Sequence, residues 1–167
     1  MNRSSSLACL TLSLSLALMP RMAWADEDAS AVKIVSARDM AANFAKAATI
    51  RETPLYKVHA SHREAPGLAE IHARDTDVIY VVEGKATLVT GGTAVDAKAT
   101  APDELRGTRI EGGEAHALAK GDVVIVPSGV PHWFEHVSGP FNYFVVKVTA
   151  PAPEASTGAA TEAGSER

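Results

Sequence analysis

Residues 121–136, GDVVIVPSGVPHWFEH, constrain the fold more than any other part of the chain. Within them, Val123–Val126 is a short β-branched run bounded by turn residues, which predicts a buried strand. Residues 127–129 then end that strand, because proline fixes φ and glycine tolerates a positive φ. The chain re-enters as an extended segment, in which alternate side chains share a face. This alternation predicts that His132, Phe134 and His136 lie on one face.

The spacing within this stretch resembles the second sequence motif of the cupin family. Pro127 follows Gly121 after five residues, and Gly129, His132 and His136 follow after one, two and three further residues. The family usually has asparagine at the last position, where this chain has His136. The resemblance implies that His132 is a metal ligand. For His136 it leaves ligation, substrate contact and plain packing open.

The family's first motif should precede the second, and its pattern is His-x-His, three or four residues, Glu, six residues, Gly. This chain reads Glu70-Ile71-His72, four residues, Asp77, six residues and Gly84. The spacing is kept, while Glu70 replaces the first histidine and Asp77 replaces the glutamate. The resemblance therefore implies one divalent metal ion held by Glu70, His72, Asp77 and His132.

The donor types narrow the choice of metal. Glu70 and His72 are two residues apart on a predicted strand, so they face the same side. Imidazole and carboxylate donors together suit Fe²⁺, Mn²⁺, Zn²⁺ or Ni²⁺. Asp77 is one methylene shorter than glutamate, which leaves its reach to the metal open, and Glu70 could instead orient another ligand. Taken singly, His72 could be a core imidazole and Asp77 a turn residue.

Two further histidines, His59 and His62, are candidates for lining the pocket or supporting a ligand, together with His136. A hairpin turning at residues 64–67 would place opposite residues on the same face. His59 would then face the pocket if it pairs with His72. A shift of one residue would instead place His62 opposite Glu70. No residue is assigned a catalytic role, and Tyr143 is expected to be structural.

Short strands separated by regular turns dominate the chain after residue 54. Ser36 is a predicted helix cap, and residues 37–49 are a predicted short helix. Residues 94–108 are polar and aperiodic, which predicts a surface loop. The pattern predicts an all-β chain, a double-stranded β-helix or jelly-roll cupin barrel with a short N-terminal helix. The predicted strands are residues 55–62, 68–72, 77–83, 85–90, 109–111, 115–118, 123–126 and 141–148.

The first 25 residues resemble an export signal. Arg3 supplies the positive charge, residues 7–19 an apolar run, and Ala23-Trp24-Ala25 a small-x-small cleavage site. The apolar run is shorter than the 18 or more residues that a membrane span needs. We therefore expect cleavage after Ala25, no membrane anchor afterwards, and a periplasmic or secreted protein. The only cysteine, Cys9, would be lost with the signal.

The remaining chain divides into an N-terminal segment with the helix at residues 26–54, the barrel at residues 55–150 and a disordered tail at residues 151–167. The whole chain has 16 Lys and Arg against 20 Asp and Glu, a formal charge of −4. Removal of Arg3 and Arg21 with the signal makes the mature chain more acidic. Because there is no basic cluster, we expect no nucleic-acid partner.

The cupin resemblance implies functions that range from dioxygenases, isomerases and lyases to proteins that only bind small molecules. We expect an exported metal-binding cupin that acts on a small molecule, with oxygenase-type chemistry preferred. The alternative is a non-catalytic binding or sensing protein of the cell envelope, since Glu70 and Asp77 depart from the family pattern.

A homodimer is also expected from the sequence. Phe144, Val146 and Val148 are predicted to face inward, and Tyr143 and Val145 outward, close to Trp133. An apolar outer stripe of this kind favours packing against the sheet of a second copy.

Overall fold

The computed structural model of the chain describes residues 30–151. The structure describes residues 33–151 of the compact unit that begins at Lys33, and residues 30–32 belong to a separate N-terminal unit. The predicted signal peptide and almost all of the predicted tail lie outside the described residues and stay predictions. No helix within residues 30–151 has the length and hydropathy of a membrane span.

One short helix, α1 (Ala37–Ala45), precedes the strands. It begins where predicted, because Ser36 Oγ accepts a hydrogen bond from the Asp39 amide and satisfies one of the free N–H groups of the first turn. It ends four residues before the predicted boundary, and Ala47 has a positive φ of 49°. Phe44 is the buried residue of α1 and packs edge-on against Phe144 at a ring-centroid distance of 5.0 Å.

The described residues otherwise form eleven strands. Their bounds are β1 (Thr49–Glu52), β2 (Tyr56–Arg63), β3 (Ala69–His72), β4 (Asp75–Thr90), β5 (Thr93–Val95), β6 (Lys98–Ala101), β7 (Glu104–Gly107), β8 (Arg109–Glu111), β9 (Glu114–Ala119), β10 (Val123–Val126) and β11 (His132–Thr149). Residues 94–108, predicted as a loop, thus contribute to β5, β6 and β7. That prediction was wrong because these short strands are too polar to show a period of two.

Nine of these strands form one antiparallel sheet that curls on itself, and β5 and β8 form a separate pair. The long strand β11 is central, since it pairs with β2, β3 and β4. On its other side, β4 pairs with β9 and β10. This all-β, jelly-roll architecture confirms the predicted fold class.

The strand β4 runs unbroken through Gly84, where the sequence pattern predicted a break between two strands. Gly84 has a φ of +85°, and a Cβ atom there would lie 2.2 Å from the carbonyl oxygen of Pro140. Glycine is therefore required both for the backbone conformation and for the close approach of β4 to β11.

Register shifts within β11 change which of its side chains point towards the core. The pairing with β4 shifts between Phe134 and His136 and twice more before Tyr143. Phe134 is buried and His136 exposed, so His136 does not share the inward face of His132. Beyond the shifts, Tyr143 and Val145 are each only 6% exposed and face inward.

The expected orientation of residues 143–148 was therefore wrong. Phe144 packs against α1, and Val148 is 49% exposed. A β-bulge adds a residue to one strand, so every later side chain changes face. The expected hairpin of β2 and β3 is also absent, because β2 pairs with β1 and β11, and β3 pairs with β7 and β11.

Three aromatic rings fill the centre of the core. Phe134, Phe141 and Tyr143 contact one another at ring-centroid distances of 5.4, 5.2 and 5.1 Å. Phe141 has no measurable exposure. The core thus lies between β4 and the inward face of β11, beside the cavity described next.

Candidate metal centre

The four side chains predicted as metal ligands meet inside the curled sheet. Glu70 and His72 lie on β3, Asp77 near the start of β4 and His132 at the first position of β11. Glu70 and His132 are direct partners between β3 and β11. His72, Asp77 and His132 are each 3% exposed. Strand pairing therefore brings the two distant sequence motifs into one buried cluster.

The donor atoms of this cluster lie close together. His72 Nε2 is 3.5 Å from both Glu70 Oε2 and Asp77 Oδ2. His132 Nε2 is 3.9 Å from Glu70 Oε2 and 3.8 Å from Asp77 Oδ2. Donors bound to one ion at about 2.0–2.2 Å are separated by roughly 2.8–3.6 Å at octahedral or tetrahedral angles. Glu70, His72 and His132 thus form a group that could bind a divalent metal ion after a small contraction.

Both imidazoles are held with Nε2 directed into the cluster. His72 Nδ1 is 2.7 Å from Glu104 Oε1, and His132 Nδ1 is 3.1 Å from the Val130 carbonyl oxygen. These oxygens accept hydrogen bonds, so each Nδ1 donates and each neutral ring keeps its lone pair on Nε2. His72 Nε2 is buried without a hydrogen-bond partner among the described residues. A buried nitrogen left in this way fits a metal ligand.

Glu70 presents one oxygen to the cluster because its other oxygen is occupied. Oε1 accepts a hydrogen bond from Arg63 at 3.2 Å and also contacts Arg106. Burial alone would raise the pKa of Glu70, but its contact with His72 and the charge of Arg106 lower that pKa to about 2. Glu70 is therefore ionised at neutral pH and oriented with Oε2 towards the imidazoles.

Asp77 has a second partner besides the imidazoles. Lys147 Nζ donates to Asp77 Oδ1 at 2.8 Å and to Oδ2 at 2.7 Å. This ion pair is largely buried, with side-chain exposures of 14% for Lys147 and 5% for Asp77. Asp77 thus lies within reach of an ion while its charge is already neutralised by Lys147.

The three remaining candidate histidines have different surroundings. His59 lines the cavity beside the cluster, although it is placed there by the pairing of β2 with β11. His62 lies on the other face of β2 and its Nδ1 is 2.7 Å from Asn142 Oδ1. His136 is exposed. Of the three, only His59 lies beside the cluster.

Sequence reasoning missed four charged residues that surround the cluster, which are Arg63, Glu104, Arg106 and Lys147. Glu104 fell within the predicted loop, and no local pattern marks it. Arg63 looked like an ordinary charged residue at a strand end. Lys147 did carry a signal, since it is the one charge in the apolar run of residues 141–148. A lone charge in a core strand requires a buried partner, which here is Asp77.

A cavity of about 190 Å³ opens beside the cluster. Charged and polar groups line one part of it, and apolar side chains line the rest. The lining residues are His59, Ser61, Arg63, Glu70, Asp77, Ile79, His132, Phe134, Tyr143, Val145 and Lys147. A small molecule in this cavity would contact the cluster directly.

Replacement of Glu104 by glutamine is expected to weaken metal binding by about 10- to 100-fold, because Glu104 orients His72 and makes its ring a stronger donor. Competition with a chromogenic chelator measures the change. Glu114→Gln, at an exposed position, is the matched control. Equal affinities for Glu104→Gln and the control would show that Glu104 does not support a ligand.

Metal binding is expected to weaken as the pH falls through the pKa of His72. Burial alone would lower this pKa, but the contact with Glu70 and the charges of Asp77 and Glu104 raise it above the usual value. A proton on Nε2 competes with the ion, so affinity should fall about tenfold per pH unit below that pKa. Because the pKa is raised, the decline should begin at a higher pH than an ordinary histidine would give. Calorimetric titrations between pH 5 and 8 test this, and a flat profile would contradict it.

The chain is similar to known proteins in sequence and in fold. A family model described as "Cupin" matches residues 58–164. No curated protein matches the chain. Several solved structures are similar in fold. This chain covers only part of the length of such structures, for example 51%, 63% and 39% of three of them.

Three of the similar structures are a dioxygenase, a lyase and an uncharacterised protein. Hydroquinone 1,2-dioxygenase from Sphingomonas sp. TTNP3, with 4-hydroxybenzoate bound, is 14% identical at a TM-score of 0.46 over 60% of this chain and 63% of that one. The DMSP lyase DddQ from Ruegeria pomeroyi DSS-3 is 18% identical at a TM-score of 0.41 over 57% and 39%. An uncharacterised double-stranded β-helix protein from Klebsiella pneumoniae is 19% identical at a TM-score of 0.45 over 62% and 71%.

These structural likenesses concern the fold alone. The family model, in contrast, covers well over half of the chain and includes β3, β4, β10 and β11, which carry both motifs. The chain belongs to the cupin family.

Proposed function

We propose that this chain is an exported, metal-dependent cupin that acts on a small molecule, with oxygenase-type chemistry as the preferred class. Glu70, His72 and His132 would hold one Fe²⁺, Mn²⁺, Zn²⁺ or Ni²⁺ ion, with Asp77 adjacent. Two imidazoles and one carboxylate form the donor set of many non-haem iron oxygenases, and they leave coordination positions open.

The observation that carries this proposal is the buried Nε2 of His72, which has no hydrogen-bond partner within residues 30–151. Its ring is fixed by Glu104 through Nδ1, and two carboxylate oxygens lie 3.5 Å from Nε2. A structural histidine buried this deeply would be expected to use both nitrogens. The arrangement therefore supports a cation between the imidazoles and Glu70.

A bound divalent ion would polarise a substrate oxygen and lower the pKa of a coordinated water. The protein would supply orientation and exclude bulk water. Tyr143 keeps its proton at the cavity wall, since burial raises its pKa, and Arg63 Nε donates a hydrogen bond to its hydroxyl oxygen at 3.0 Å. Ile79, Phe134 and Val145 make the neighbouring wall apolar, which strengthens electrostatic interactions in the cavity.

The test of this proposal is metal content followed by turnover. The mature protein, reconstituted separately with each of the four metals, should bind about one ion per chain. Oxygen uptake and product formation are then measured with small carboxylic and phenolic compounds. Activity that is lost in His72→Ala supports an enzyme. No stoichiometric metal in the wild type would contradict the proposal.

A non-catalytic binding protein is the second candidate. It is favoured by the ion pair of Asp77 with Lys147, which occupies a carboxylate that an enzyme of this family pattern would direct to the metal. Stoichiometric metal and saturable ligand binding without any turnover would support this candidate. Turnover that depends on His72 would contradict it.

Export and dimer formation complete the proposal. Residues 1–25 have the pattern of a cleaved signal, and a periplasmic or secreted location is tested by sequencing the N-terminus of the mature protein, which should begin at Asp26. A homodimer is supported by exposed apolar residues on the outer sheet face, where Val123 pairs with Tyr80 next to Ile125. A monomeric mass at micromolar concentration would contradict it.

A further inference from the structure

The charges around the cavity balance before any ion is added. Three carboxylates, Glu70, Asp77 and Glu104, face three cations in direct ion pairs or contacts. Lys147 pairs with Asp77, Arg63 with Glu70, and Arg106 contacts both Glu70 and Glu104. The formal charge of this group is therefore zero with neutral histidines.

A divalent ion would disturb this balance. It would add two positive charges to a largely buried, neutral group, and a buried net charge is costly unless a counter-charge accompanies it. Each of the three carboxylates is already matched by a cation of the chain. The compensating negative charge would thus come from the group that enters the cavity.

Lys147 is placed to receive such a group. An ammonium has three N–H donors, and its hydrogen bonds within the described residues go to the two oxygens of Asp77. Lys147 lines the cavity together with His132 and Asp77. A third donor therefore remains for a ligand that also reaches the metal position between the imidazoles.

Beyond Lys147, the wall of the cavity is apolar. Lys147 pairs with Asp77 of β4, and two residues earlier Val145 pairs with Ile79 of β4. Tyr143 and Phe134 continue this wall. A ligand would thus have its charged end at Lys147 and an apolar body against Val145 and Ile79, about 7 Å along the strand.

The volume of the cavity limits the size of the apolar part of the ligand. Its volume of about 190 Å³ exceeds the ~150 Å³ of a protein cavity known to hold benzene. We infer that the cavity binds a small carboxylate anion, with a short chain or a single ring, whose carboxylate is shared between the bound divalent ion and Lys147. This inference rests on the proposed function and specifies its ligand class.

The test uses the metal-loaded full mature chain and matched pairs of probes. Acetate, propionate and benzoate are compared with acetamide, propionamide and benzamide by isothermal titration calorimetry. At least one acid should bind tenfold or more tightly than its amide. By linkage, that acid should raise the affinity for the metal by the same factor as the metal raises the affinity for the acid.

Two variants test whether Lys147 is responsible for the preference for the acid. Lys147→Met should lower the affinity for the preferred acid at least tenfold and leave its amide unchanged. Lys85→Met, the same change at an exposed position of β4, should behave as the wild type. The metal content of each variant is measured first, because removal of Lys147 frees Asp77.

The outcomes separate this inference from the proposed function. If the wild type binds no metal, the proposed function fails and the ligand class fails with it. If metal binds but no acid is preferred over its amide, only the inference is overturned. Unchanged acid binding in metal-loaded Lys147→Met would also overturn it.

Discussion

Replacement of His132 by alanine is expected to reduce the metal content of the reconstituted protein from about one ion per chain to a small fraction of that value. His132 supplies one of the three donors of the cluster, and its Nδ1 is already bonded to the Val130 carbonyl oxygen. Neither Asp77 nor Glu70 can replace it, since Lys147 neutralises the first and Glu70 is already a donor. His72→Ala should have the same effect. Metal analysis after gel filtration measures both.

The matched control is His136→Ala. His136 belongs to the same sequence motif and the same strand but is exposed beyond the register shift. It should retain about one ion per chain. Circular dichroism and thermal unfolding show whether the variants are folded. Loss of metal in His136→Ala, with retention in His132→Ala, would reverse the assignment that the structure supports.

Replacement of Phe141 by alanine is expected to lower the free energy of unfolding by about 3–5 kcal/mol. Phe141 is fully buried and its ring contacts both Phe134 and Tyr143. Truncation would leave a cavity in the core, and the facing strands β4 and β11 are too extensively paired to close it. Urea unfolding followed by tryptophan fluorescence measures the change.

The comparison variant is Phe144→Ala. Phe144 also contacts an aromatic ring, Phe44, but it lies on the outer face and is only partly buried. The expected decrease in the free energy of unfolding is smaller, about 1–3 kcal/mol, because Phe144 buries less apolar surface than Phe141. A larger loss for Phe144 than for Phe141 would contradict the face assignment of β11. It would instead favour the orientation expected from strict alternation.

The sequence was sufficient to predict the fold class and the meeting of the two motifs. Turn residues at fixed offsets and β-branched runs locate strands well, and motif spacing does not depend on which strands pair. Glu70, His72, Asp77 and His132 therefore occupy one cluster as the resemblance implied. Their role as ligands stays a proposal until an ion is measured.

The side-chain faces of β11 could not be predicted in the same way. Alternation holds only while a strand stays regular, and β11 has register shifts on both sides of residues 136–138. Each extra residue changes the face of all that follow. The positions of His136, Tyr143 and Val145 all changed for this one reason.

The residues that support the cluster were harder still to find. Glu104 reaches His72 because β7 pairs with β3, which is a contact between short strands far apart in the chain. Non-local pairing of this kind has no local sequence signature. His59 was proposed for the correct cavity, but through a hairpin that does not form.

X-ray absorption spectroscopy of the metal-loaded mature protein shows whether an ion is bound by the imidazoles of His72 and His132. We expect one ion per chain, with nitrogen and oxygen donors at about 2.0–2.2 Å and the scattering pattern of two imidazoles. One imidazole should disappear in any residual metal of His72→Ala. A spectrum without imidazole scattering, or a protein that stays free of metal after reconstitution, would contradict the claim that Glu70, His72 and His132 bind an ion.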